Sequence, residues 1–166
     1  RQENWEIVTG CERLTEGCDS CPSYWEYLAD NRDYSPRFNE KLLTVPMRNV
    51  VPTRYVVALG SDLFHESVSI DQIEKVFTVM NSCDRHFFEV TTKRAERMYC
   101  VTKDFKMKKH ITMGVSVEHG DYKWRLEYLR KCTAVIKIVS MVPLLGPIGK
   151  LNLYGFAMVG IQPETW

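Results

Sequence analysis

Short apolar runs alternate with helical stripes along nearly all of this chain, and few folds accept that rhythm. Six runs read as strands: Trp5–Gly10, Tyr55–Gly60, His86–Thr92, Ile111–Glu118, Ala134–Met141 and Gly155–Ile161. The second, YVVALG, is almost continuously apolar, as a strand covered on both faces must be. Between the runs lie helical patterns. SYWEYLAD (Ser23–Asp30) is one, and its Tyr24, Trp25 and Tyr27 read as core. SIDQIEKVFTVMN is another. It places Ile70, Ile73, Val76, Phe77 and Met80 on one stripe behind a capping box of Ser69 and Gln72. KRAERMYCV follows the third run, and DYKWRLEYLRK (Asp121–Lys131), capped by Asp121, follows the fourth. Repeated strand–helix units joined by right-handed crossovers predict a parallel sheet. Six units are too few for a closed eightfold barrel, so the expectation is α/β: an open partial (β/α)6 barrel or a doubly wound sheet. The 166 residues suit one domain spanning 1–166, with residues 32–53, which hold Pro36, Pro46 and Pro52 and show no period, as a long irregular connection within it.

Polar residues collect where the expected strands end: Gly10 and Cys11; Ser61 and Asp62; Thr91, Thr92, Lys93 and Arg94; Ser116 and Glu118; Ser140; Gly160 and Gln162. In parallel α/β folds that edge binds ligands, because the loops there converge and helix N-termini point inward. The run KDFKMKKH (Lys103–His110) falls on the opposite edge and reads as a solvated loop. His86, His110 and His119 take no assigned role.

Three of the six cysteines stand together, Cys11, Cys18 and Cys21, as C-x6-C-x2-C just after the first strand. Cys83, Cys100 and Cys132 are scattered and read as small buried hydrophobes. A disulfide framework suits small secreted domains, not a chain of this size with no export signal in view. Clustered thiols in a reducing compartment share a metal more readily. Three thiolates leave a centre one ligand short. A zinc site would draw a fourth donor from elsewhere, with His65 a candidate. A 4Fe-4S cluster would keep one iron open to a chelating cofactor such as S-adenosylmethionine.

The blocks NWEIVTGCERLTEGCDSC, VALGSDLFHESV, FEVTTKRAERM, MGVSVE and SMVPLLGP, in this order, resemble a phage and prophage family related to radical-SAM proteins. The likeness runs from Asn4 to Gly160. It implies a partial barrel with a cluster bound by Cys11, Cys18 and Cys21. It implies further that Ser61 and Asp62 lie by the methionyl amino group, and that Lys93 or Arg94 holds a cofactor carboxylate or a substrate phosphate. Ser116 and Glu118 would meet ribose hydroxyls, and Ser140 would lie near the adenosine. Two positions depart from the family pattern. Pro22 replaces an aromatic residue after the last cysteine, and VGIQPE stands in place of a glycine-rich turn.

A net charge of +1 gives no bulk attraction to nucleic acid or membrane, and no apolar run approaches the roughly 20 residues of a membrane span. The chain opens at Arg1, so it is expected to be a piece trimmed at both ends. Two functions remain open. One is a cytoplasmic iron–sulfur enzyme, inside a bacterial host if phage-encoded. It would cleave S-adenosylmethionine reductively, with an electron donor as partner, to start radical chemistry on an unidentified substrate such as a nucleotide or nucleic acid. The other is a non-catalytic module, stabilised by zinc or a cluster, that binds nucleic acid or protein.

Overall fold

A computed structural model describes residues 1–163. In chain order the elements are β1 (Gln2–Trp5), β2 (Val8–Thr9), α1 (Pro22–Ala29), β3 (Arg37–Phe38), α2 (Val45–Arg48), β4 (Arg54–Val57), α3 (Ile70–Ser82), β5 (Phe87–Thr92), α4 (Ala95–Thr102), β6 (Ile111–Ser116), α5 (Arg125–Lys131), β7 (Ile136–Leu144) and β8 (Met158–Pro163). Among the described residues, no helix is long and apolar enough to cross a membrane.

The expected α/β architecture is present as a six-stranded sheet in the order β1-β4-β5-β6-β7-β8, parallel at every pairing. Spatial order follows chain order, so each crossover steps one strand the same way. Crossovers of one hand place their helices on one face of such a sheet. The core lies on that face. Tyr55, Phe88 and Ile111 form one row of the register, and Val57, Val90 and Met113 the next. Ile73, Val76, Phe77 and Met80 of α3, Met98 of α4, and Leu126 and Leu129 of α5 belong to the same buried cluster. Each such side chain contributes about 1.5–3 kcal/mol by leaving water.

The other face carries smaller residues towards its carboxyl end. One row reads Thr91, Gly114, Ile138 and Met158; the row nearer the carboxyl ends reads Ser116, Ser140 and Gly160. Little side-chain bulk stands over the sheet where the strands end.

The amino-terminal third departs from the sequence reading. The first strand was expected at Trp5–Gly10, but β1 ends at Trp5 and the chain leaves the main sheet. Val8 and Thr9 pair antiparallel with Phe38 and Arg37 instead. The competitor is the segment 32–53, a long connection with short elements in it. It supplies β3, a 3-10 turn at Glu40–Leu42 and α2. Asn39 N donates to Ile7 O (2.8 Å), and the Trp5 indole donates to Leu42 O (2.8 Å). His86 fixes the far end. Its Nδ1 accepts from Thr53 N (3.2 Å), so Nε2 carries the proton, facing the carbonyls of Pro46 (2.9 Å) and Asn49 (3.1 Å). Two smaller differences concern ends. α5 begins at Arg125 behind a 3-10 turn (Gly120–Tyr122) capped by His119, not by Asp121. α1 buries nothing: Tyr24 and Trp25 are exposed rather than core.

Candidate functional site

The cysteine loop starts where β2 ends. Gly10 has φ +74°, and a Cβ there would stand 2.3 Å from Tyr34 O. Only glycine accepts both the left-handed backbone and that approach. The approach lets Cys11 N donate to Tyr34 O (3.1 Å). A 3-10 turn at Glu16–Cys18 presents the second thiol, and Cys21 N donates to Cys18 O (3.2 Å). Cys21 is then the N-cap residue of α1, with Pro22 in the first turn, where a missing N–H costs nothing.

These thiols share a cavity of about 660 Å³ at the carboxyl ends of the strands. Cys11, Cys18, Cys21, Ser61, Asp62, Lys93, Arg94, Ser116 and Ser140 all lie on its wall. Of the residues the resemblance assigns to the cluster or the cofactor, Glu118 does not. All six cysteines are free. Each clustered thiol meets a different neighbour. Cys11 Sγ is 4.0 Å from Arg94 Nη1, Cys18 Sγ is 3.2 Å from Lys93 Nζ, and Cys21 Sγ is 4.0 Å from the Tyr34 hydroxyl, which donates to Gly60 O (2.9 Å). Tyr24 and Tyr27 stand edge-on to Tyr34 at 5.6 and 5.0 Å, screening the Cys21 side.

The strand-end charges are already partnered. Asp62 is buried. It accepts from Thr92 Oγ1 (2.8 Å), Phe64 N (2.9 Å) and Arg94 Nη1 (3.1 Å). Arg94 Nε donates to Glu66 (2.8 Å). Lys93 Nζ lies 2.8 Å from Glu118 Oε1, which also accepts from Thr15 Oγ1 (2.6 Å). Glu118 Oε2 accepts from Arg125 Nη1 (2.6 Å). Burial raises the Glu118 pKa, but Lys93, Thr15 and Arg125 outweigh it and hold the carboxyl below its ordinary range. The thiols differ for the same reasons. Burial, helped by the Asp62 charge, pushes Cys11 up to about 11 despite Arg94. Burial also works against the Cys18 thiolate, but backbone hydrogen bonds at Leu14 and Thr15 and the Lys93 ammonium bring its pKa below the usual thiol value. Tyr34 stays neutral, raised by burial and by Cys21 and Cys11.

Thr15, Gly17, Tyr34 and Arg125 shape this site and were not among the residues singled out from the sequence. His65 is no partner of the thiols. It lies off the cavity wall, its Nδ1 meets Ser67, and its buried Nε2 has no hydrogen-bond partner, with Glu12 at 3.6 Å. Ser61 Oγ donates to Val8 O (2.6 Å), joining β2 to the loop after β4. Glu164 of the VGIQPE stretch lies outside the described residues. Among the described residues, no group of three or more His, Cys, Asp or Glu side chains is gathered to hold a single metal ion.

No curated protein and no solved structure matches the chain. One family model does, over residues 1–162, so a thiol-lined cavity on a six-stranded parallel sheet belongs here to a member of the family described as protein of unknown function (DUF5131).

Proposed function

We propose that Cys11, Cys18 and Cys21 hold a 4Fe-4S cluster with one iron left free of protein, and that the same cavity binds S-adenosylmethionine. The observation that carries this reading is three free thiols on the wall of one cavity at the carboxyl edge of a parallel sheet. The residues fit such a group better than a single ion. Zinc needs its sulfur donors about 2.3 Å from one point. The thiolates of a cluster bind separate irons, so they need not converge on one point, and all three line this cavity. In this reading the same-hand crossovers curl the sheet into a partial (β/α)6 barrel, with the face opposite the helices inside.

Held by the three cysteines and reduced by an electron donor, such a centre would supply one-electron reductive cleavage of a bound sulfonium. The chain's own residues bind and orient. Lys93 is balanced by Glu118, and Arg94 by Asp62 and Glu66, so the wall adds little net charge. A cluster carried by three thiolates would have net negative charge, which would favour a cationic sulfonium. The hydroxyls of Thr91, Ser116 and Ser140, all on the cavity wall, are left for a sugar and base. The family resemblance puts the methionyl amino group by Ser61, whose oxygen keeps lone pairs to accept from it. A centre of this kind belongs in a reducing compartment, the cytoplasm, and a phage setting favours a nucleotide or nucleic acid as substrate. Air-free protein supplied with iron, sulfide, reductant and S-adenosylmethionine is expected to release 5′-deoxyadenosine; a loaded protein that releases none contradicts the enzymatic reading.

One observation favours the non-catalytic module instead. The cysteine loop is tied to the rest of the chain by protein contacts, through Glu118, Lys93 and Tyr122. That reading predicts a loaded or zinc-bound protein that is inert toward S-adenosylmethionine.

A further inference from the structure

Glu118 joins elements far apart in the chain. Its side chain is fully buried, and both carboxylate oxygens are taken. Oε1 faces Thr15 Oγ1 and Lys93 Nζ; Oε2 faces Arg125 Nη1, which also donates to Ser116 O (2.8 Å). The loop presses against it. A Cβ on Gly17 would stand 2.7 Å from Glu118 Cγ and 2.9 Å from Oε1. Beside them Tyr122, whose ring lies 4.4 Å from the Arg125 guanidinium, donates to Glu16 (2.5 Å). Lys93 Nζ, which also donates to Thr15 Oγ1 (3.3 Å), carries the contact on to Cys18 Sγ. A carboxylate aimed at a ribose would keep an oxygen toward the cavity, and this one does not.

We propose that Glu118 is a positioning residue: it seats the Thr15–Cys18 turn, and so sets where Cys18 stands on the cavity wall, rather than binding the cofactor ribose. This rests on the reading that the loop carries the cluster. Gln at 118 keeps the shape but turns an NH2 toward at least one of three donors. Outer partners of metal ligands are commonly worth 10–100-fold in metal affinity.

The test compares Glu118→Gln and the milder Thr15→Val with wild type. Amide hydrogen exchange on metal-free protein is expected to quicken at residues 14–19 and not across the core. On reconstituted protein, a chelator is expected to strip iron about 10-fold faster or more. The KM for S-adenosylmethionine of the fraction still loaded is expected to stay at the wild-type value. Unchanged loop exchange and iron retention together with a raised KM would overturn the proposal and restore the ribose role. Should Glu118→Gln fail to fold, Thr15→Val decides: unchanged exchange at residues 14–19 overturns the proposal. Should wild type bind no iron, the cluster reading falls, and loop exchange alone decides the placement.

Discussion

Gly17 is the residue of the cysteine motif with least freedom, although its backbone needs no special angle. Space forbids any side chain there, because Glu118 already fills it. Gly17→Ala must displace either the turn or a buried, hydrogen-bonded carboxylate. Overpacking of that kind costs about 1–3 kcal/mol. Denaturant unfolding is expected to show such a loss, together with weakened iron retention; a stable variant with normal retention would mean that the contact is loose. Glu118 also makes stability depend on pH. Its pKa in the folded protein lies below the ordinary 4.5. Its contribution is therefore complete above that value and is lost as pH falls through the folded one. The stability gap between wild type and Glu118→Gln should narrow on acidification from neutral pH to below 4.5. A gap that stays constant with pH would refute the ion-pair account. The cysteines and strand-end hydroxyls were legible in the sequence because a short motif and the ends of apolar runs mark them. Thr15 and Arg125 were not. Thr15 lies 103 residues from the carboxylate it meets, and nothing in its neighbourhood points there.

Where local signals are strong, the elements follow them. α3 starts at the capping box of Ser69 and Gln72 and buries Ile73, Val76, Phe77 and Met80. Ile70 alone of the expected stripe is exposed, since at the first helical position it points away from the sheet. β5 and β6 also fall within a residue or two of their apolar runs, because a strand buried on its helix face carries its own pattern. The segment 32–53 carries none. Its pieces, β3, the 3-10 turn and α2, are two to four residues long, and each owes its shape to a distant partner. The same competition shortens the first strand: the backbone of Ile7–Thr9 meets residues 37–39 instead of β4. His86 is the peg at the end of this segment. His86→Ala leaves Thr53 N–H and two carbonyls without their partner, which at about 1–3 kcal/mol per stranded group predicts a loss of roughly 3 kcal/mol or more. Thermal unfolding would measure it. A loss under about 0.5 kcal/mol, the range of ordinary surface changes, would show that the segment does not depend on the imidazole.

At the scale of the molecule, one arrangement explains both fold and site. Strands added in chain order put α3, α4 and α5 on one face of the sheet, where they share its core. Small residues at the carboxyl end of the other face, Ser116 and Ser140 among them, line the cavity there. The cysteine loop folds over that hollow and lines it with thiols. Charges at the rim cancel pairwise, so the cavity is not a general anion trap, in keeping with a net charge of only +1. The claim on which this rests is that the three thiols share an inorganic cluster. Metal and sulfide analysis of protein purified without air tests it most directly. The account predicts a brown protein with about four iron and four sulfide per chain, both lost when Cys11, Cys18 or Cys21 is replaced by Ala. A colourless protein holding one zinc, or one that takes up no iron although its thiols remain reduced, would contradict it.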